Sequence, residues 1–190
     1  MEKGNKTKRR IQCITKELIL KKSYSSVTMT DISQELGISI GGLYYHYHSV
    51  EEILLDIINA ETSTVWDILF NNKTYENFIE SIQFYFEAEK KDLLNFENTL
   101  NAILYEYYFS FSSEVRKEKW RNAFEKTYNN MVAIISPYIS DSEDVSYICN
   151  HILVTLHGLN IMAMAGRITS EIIDREFRYI MEKVQQLTGK

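Results

Sequence analysis

Four histidines, two cysteines and a cluster of hydroxyl-bearing residues are the groups in this 190-residue chain whose types could do chemistry. His151 and His157 stand six positions apart, about 240° around a helix of 3.6 residues per turn, so they do not share a face as two metal ligands on one helix would. His46 and His48 flank Tyr47 with no Cys or carboxylate at ligand spacing. Cys13 and Cys149 lie 136 positions apart among apolar neighbours, which reads as two small buried thiols rather than a disulfide or a metal pair. No Gly-rich phosphate loop, GxSxG elbow or HExxH motif occurs. Catalysis through Glu106 or His157 would need those groups to converge on one point. Neither an enzyme, nor a metal, nor a cofactor is expected.

The hydroxyls are more informative. From Val27 to Ile53 the chain reads VTMTDISQELGISIGGLYYHYHSVEEI. Thr28 with Asp31 three residues on has the spacing of a helix N-terminal cap, Gly37 ends that helix, and Ser39 caps a short one. This is the layout of a helix-turn-helix. Ile32, Leu36, Ile38 and Leu43 pack inward. That leaves Ser39, Ile40, Gly41, Gly42, Tyr44, Tyr45 and His46 outside, a face with few charges and two glycines where a backbone can lie close to its partner. Its helix propensity is poor, each glycine costing about 0.8–1.0 kcal/mol relative to Ala.

The elements that must position this face are helices throughout. One Pro, seven Gly, thirteen Tyr and nine Phe favour long uninterrupted helices lined with rings. Apolar spacing predicts nine, at about residues 6–22, 29–36, 39–46, 49–71, 75–91, 93–110, 113–136, 143–166 and 170–187. An all-α fold follows, with three helices in an N-terminal domain (1–49) and a larger helical domain (50–190). No apolar run reaches the ~18 residues that span a bilayer, so the expected location is the cytoplasm. Net charge is −5, but it is unevenly spread: residues 1–50 carry +4 and the remaining 140 carry −9. A basic head on an acidic body suits a polyanion at one end.

The head resembles the DNA-binding domain of the TetR family of transcriptional regulators. Arg10-Ile11 through Tyr24, Thr28-x-x-Asp31-Ile32-Ser33, Leu36-Gly37-Ile38-Ser39, Leu43-Tyr44-Tyr45-His46-Tyr47 and Ser49-x-Glu51-Glu52-Ile53-Leu54 fall at that family's spacing without a gap. The resemblance implies that Tyr44 gives its hydroxyl to a DNA phosphate. It also implies that Ser39, Ile40, Gly41, Gly42 and Tyr45 face the major groove, and that Thr28 and Thr30 bind phosphate through hydroxyls and N–H groups. His46 either reaches phosphate or braces the helix. Tyr47 replaces a family Phe and is assigned to the core. Val50 stands where the family usually has a phosphate-clamping Lys, Ile40 where a polar or basic residue is common, and Ser23 where Gly often closes the first helix. Lys8, Arg9 and Arg10, in the basic stretch from Lys3, are expected either to reach DNA as a flexible arm or to form an ordinary solvated terminus.

For the rest of the chain the resemblance implies dimerisation and a ligand pocket. Leu156, Leu159, Met162, Phe177, Ile180 and Val184, in the last two helices, are the expected dimer interface. They could equally be intramolecular core. Trp66, Phe70, Phe86, Glu97, Asn101, Tyr105, Tyr128 and His157 are the expected ligand-binding residues, suited to an apolar or cationic effector. The function implied is a homodimeric repressor released from double-stranded operator DNA by a small molecule. The alternative is a DNA-binding nucleoid-organising or protein-interaction module with no inducer.

Overall fold

Capping side chains set where most of the helices begin. The computed structural model describes residues 2–70 and 74–189, apart from the side chains of residues 2–5, 64, 65, 68, 70 and 75. These residues form α1 (Glu2–Lys22), α2 (Met29–Leu36), α3 (Ile40–Tyr44), α4 (Val50–Phe70), α5 (Tyr75–Leu94), α6 (Leu100–Phe109), α7 (Ser113–Ile135), α8 (Ser142–Met164) and α9 (Ser170–Thr188). Short 3-10 turns lie at Tyr24–Ser26 and Phe96–Asn98. The fold is all-α, with no strand among the described residues. Thr28, Ser39, Thr74, Asp141 and Thr169 each accept a hydrogen bond from an N–H in the first turn of the helix they precede. Gly37, with φ of 67°, ends α2 in the left-handed conformation that favours glycine.

Three expectations need correction. Cys13 is exposed on α1, so only Cys149 is the buried thiol that the apolar neighbours of both cysteines suggest. The helix expected over residues 93–110 is broken, because Asn95 and Thr99 flank a 3-10 turn in which Thr99 Oγ1 donates to the Phe96 carbonyl at 2.7 Å. The basic N-terminal stretch is also not a flexible arm. It is the first part of α1, which starts at Glu2.

The chain folds as two units. The first comprises Met1–Thr64 with Ile103–Ser110. The residue-49 boundary expected from sequence falls inside it, just before α4. Its core is built from Ile11, Leu18, Ile19, Ile32, Leu36, Leu43, Ile53, Leu54 and Tyr107. Tyr24 meets Tyr107 edge to face at 5.2 Å, Glu106 accepts a hydrogen bond from the Tyr24 backbone N–H, and the Tyr107 hydroxyl donates to Glu51 at 2.6 Å. The end of α6 thus fastens both the α1–α2 junction and the start of α4. The second unit comprises Val65–Ala102 with Phe111–Lys190. Phe78, Phe86, Phe96 and Phe177 are buried in its core, where Phe86 stacks on Phe177 at 4.3 Å and Phe78 on the half-buried Tyr138 at 4.2 Å. Among the described residues no helix is long and apolar enough to cross a membrane.

Candidate nucleic-acid interface

Ile32 and Leu43 are fully buried, and they hold α2 and α3 together across the Gly37 turn. Ser39 begins α3 by accepting from the Gly42 N–H at 3.1 Å. The helix then shows its outer face to solvent: Ile40 is 42% exposed, Tyr44 45% and Tyr45 86%. A tyrosine so exposed on a five-residue helix contributes little to the core, and its hydroxyl is available to a phosphate. His46 is half-buried with its ring edge-on to Tyr45 at 5.2 Å, an arrangement that braces the end of the helix. Tyr47 is 2% exposed and belongs to the core.

The two threonines divide. The Thr28 hydroxyl accepts from the Asp31 N–H at 3.1 Å and donates to the Asp31 carboxylate at 2.7 Å, and that carboxylate also takes the Thr28 N–H at 2.9 Å. With both roles engaged in this capping box, the Thr28 hydroxyl is not the free phosphate donor expected from sequence. Thr30 is exposed, and no acceptor for its N–H is found among the described residues. Hydrogen bonds from the Thr28 hydroxyl, Lys22 and the Thr28 N–H hold the Asp31 carboxyl down at about 2. Lys22 sits 2.9 Å from that carboxylate and offsets its charge at the end of the helix where a phosphate would approach.

Lys8, Arg9 and Arg10 are exposed on α1, with the Lys8 ammonium 4.9 Å above the Tyr47 ring. Lys8 is therefore tied to the helix-turn-helix rather than to a loose terminus.

The expected ligand residues do not converge. Trp66 and Phe86 line a cavity in the second unit with Leu69, Ile82, Tyr85, Met131, Ile134, Ile135 and Ile152. Its volume is about 30 Å³, room for roughly one water molecule. Glu97 is exposed on the Phe96–Asn98 turn, Asn101 is half-buried at the start of α6, and Tyr105 is buried in the first unit. The Tyr128 hydroxyl donates to Ser146 at 3.0 Å, while the His157 ring stacks on Phe124 at 5.9 Å and lies 6.1 Å from Trp120. Burial there lowers the His157 pKa. None of these five lines the cavity, and the Phe70 side chain lies outside the described residues.

A titratable group missed from sequence is Glu89, one helical turn beyond cavity-lining Tyr85. Burial pushes its carboxyl up to about 7, although a hydrogen bond from Tyr85 opposes that rise. Only its spacing to Tyr85 could have drawn attention to it. Among the described residues no three His, Cys, Asp or Glu side chains are grouped to hold a metal.

Leu156, Leu159, Phe177, Ile180 and Val184 are buried in the chain's own core, and Met162 is half-buried. As placed, the five buried residues are already occupied within one protomer. The exposed apolar residues of α8 and α9 are instead Tyr147, Val154, Ile161, Met164 and Tyr179.

Comparison with known proteins accords with this geometry. Residues 15–57 match the family described as bacterial regulatory proteins, tetR family. The chain is 26% identical over 144 residues to the uncharacterized HTH-type transcriptional regulator YfiR of Bacillus subtilis, covering 75% of this chain and 69% of that protein. It is also 26% identical over 126 residues to the HTH-type transcriptional regulator QacR of Staphylococcus aureus, covering 64% and 66%. Among solved structures, a transcriptional regulator of Aquifex aeolicus superposes with a TM-score of 0.63 at 20% identity, over 95% of this chain and 96% of that one. NalD of Pseudomonas aeruginosa, the secondary repressor of the MexAB-OprM multidrug efflux pump, gives 0.65 at 16% identity over 98% and 97%. These two show a shared fold. The exposed face of α3 and the capped start of α2 both lie in the segment, residues 15–57, that is similar to the tetR family of bacterial regulatory proteins.

Proposed function

We propose that the chain is a cytoplasmic homodimeric repressor that leaves its operator when a small apolar or cationic molecule enters the second unit. The observation that carries the dimer is a seam on α8. Tyr147, His151, Val154, Gly158, Ile161 and Ala165 follow one another at alternating spacings of four and three residues, the a/d repeat of paired helices. Val154 at the centre of the seam is 67% exposed, and nothing lies within 4 Å of where a Gly158 Cβ would be. The seam therefore offers an apolar stripe with a small residue where a second helix can approach. A helix-turn-helix of this size reads a half-site, so two copies spaced by about 34–36 Å supply specificity that one lacks.

The effector reading is supported by the pairing of Tyr85 and Glu89 beside an apolar, ring-lined cavity. A carboxyl whose proton leaves near pH 7 can stay neutral beside an apolar ligand or ionise beside a cation. The test uses duplexes selected from a random library, with tetraphenylphosphonium as a cationic probe and anisotropy as the readout. The wild-type chain should prefer the selected duplex over random duplex and release it as the probe is added. Because the probe favours the ionised carboxylate, its affinity should rise with pH through about 7. Glu89→Gln should remove that rise. No preference for the selected duplex at any salt concentration would sink the regulator reading.

One observation favours the second reading, a DNA-binding module without an inducer. A cavity of about 30 Å³ is far below the ~300 Å³ of ordinary ligand pockets, so an effector must open it. DNA affinity indifferent to a broad set of apolar and cationic probes would decide for that alternative.

A further inference from the structure

Three helices are tied together immediately behind the recognition helix. Tyr47 follows α3 so closely that its N–H still bonds the Leu43 carbonyl, at 3.1 Å, so its ring moves as a continuation of that helix. The Tyr47 hydroxyl donates to Asp56 Oδ2, on α4, at 2.5 Å. Gln12, on α1, donates to the same carboxylate oxygen at 3.0 Å and to the Tyr47 hydroxyl at 3.3 Å. Lys8, one turn before Gln12, lies over the Tyr47 ring. Burial and the neighbouring Asp56 raise the Tyr47 pKa far above that of an ordinary phenol, so the hydroxyl keeps its proton and remains a donor.

Packing alone would be served by Phe at this position, the residue the family resemblance leads one to expect. The hydroxyl adds direction. Apolar contacts let a short helix slide or tilt at little cost, whereas a short bond to a carboxylate that is itself held from α1 fixes one orientation. α3 has only five residues, two of them glycine, and so has little rigidity of its own. Recognition by side chains requires placement to within about 0.5 Å and 10–20°.

We propose that Tyr47 is a positioning residue for DNA recognition, its hydroxyl locking the recognition helix to α1 and α4 through Gln12 and Asp56, and so aiming Ile40 and Tyr45 at the base edges. The lock acts on discrimination rather than on general affinity. Phosphate attraction tolerates a small tilt, but base contacts do not.

The test uses the full-length chain and four quantities: melting temperature, affinity for a selected specific duplex, affinity for a random duplex of the same length, and the salt dependence of each. Tyr47→Phe should lower specific affinity about tenfold while leaving random-duplex affinity and salt slope unchanged. Asp56→Asn, which keeps an acceptor for the hydroxyl, should retain most of the discrimination. Asp56→Ala should lose it to the same extent as Tyr47→Phe. The double variant Tyr47→Phe with Asp56→Ala should be no worse than either single change. A specific-to-random ratio within twofold of wild type in Tyr47→Phe overturns the proposal. So does a parallel loss of both affinities that tracks the melting temperature. If Tyr47→Phe does not fold, Gln12→Leu decides: a reduced ratio supports the lock and an unchanged one overturns it. Wild-type preference for the selected duplex is measured in the same series, so failure of the lock is distinguishable from failure of DNA recognition.

Discussion

Ser23 holds a backbone conformation that side chains avoid, with φ of 76° and ψ of 152°. Its hydroxyl donates to Ser26 and also pairs with Ser25, while the next N–H, of Tyr24, is fixed by Glu106. The α1–α2 junction therefore carries strain that its neighbours sustain. Such a residue costs on the order of 1–3 kcal/mol, so Ser23→Gly should raise stability by about 1 kcal/mol or more in chemical denaturation. A variant no more stable than wild type would mean that the serine hydroxyl bonds offset the strain. These roles were only partly legible in the residues. Tyr44 follows as an outer residue from the inward Leu43 beside it, whereas the core assignment of Tyr47 comes from the resemblance, in which it replaces a Phe. The roles of Glu89 and Asp56 were not accessible, since an acidic residue on a helix looks the same whether it meets solvent, as most do, or a tyrosine hydroxyl.

At the scale of elements, local chemistry was the readable part. The ends of α2 and the start of α3 follow from Thr28, Gly37 and Ser39, whose capping bonds reach no further than a few residues. The turn at Phe96–Asn98 was hidden because Leu93, Leu100 and Leu104 keep a helical spacing across it. α8 misled for another reason. It has two apolar faces, and the fuller one, through Ile152, Leu156, Leu159 and Ala163, is used inside the protomer. In α3 the two glycines have different local surroundings. A Cβ at Gly41 meets nothing within 4 Å, whereas one at Gly42 comes within 3.2 Å of Ser39 Oγ, the capping atom. Gly41→Ala should stabilise the free protein by up to about 1 kcal/mol through helix propensity. Gly42→Ala should gain less, because a weakened cap costs about 1 kcal/mol. If the α3 backbone lies against DNA, Gly41→Ala will nevertheless lose at least tenfold in affinity for a selected duplex by anisotropy. Unchanged affinity would remove Gly41 from the interface.

At the scale of the whole molecule, charge and symmetry act together. The +4 carried by residues 1–50 draws that part of the chain to phosphate, and the −9 on the remainder discourages DNA from binding elsewhere on the surface. A charge of +4 per protomer is modest. Val50 offers no cation where the family usually places one, and Lys8 is already engaged with the Tyr47 ring. In the proposed dimer, affinity comes from two heads held on one duplex, and breaking the seam on α8 becomes a test of binding as well as of assembly. Val154→Glu with Ile161→Glu places two carboxylates per protomer on exposed positions of that stripe, where they cost the folded protomer little and face each other across any two-fold contact. The variant should sediment as a folded monomer. Its log affinity for the selected duplex should fall with log salt at about half the wild-type slope, because each phosphate contact contributes about 0.9 to that slope and one head makes half as many contacts. A variant that remains dimeric would move the interface off this face of α8. A monomer that keeps wild-type affinity and slope would mean that one head suffices and that the pairing of half-sites plays no part in recognition.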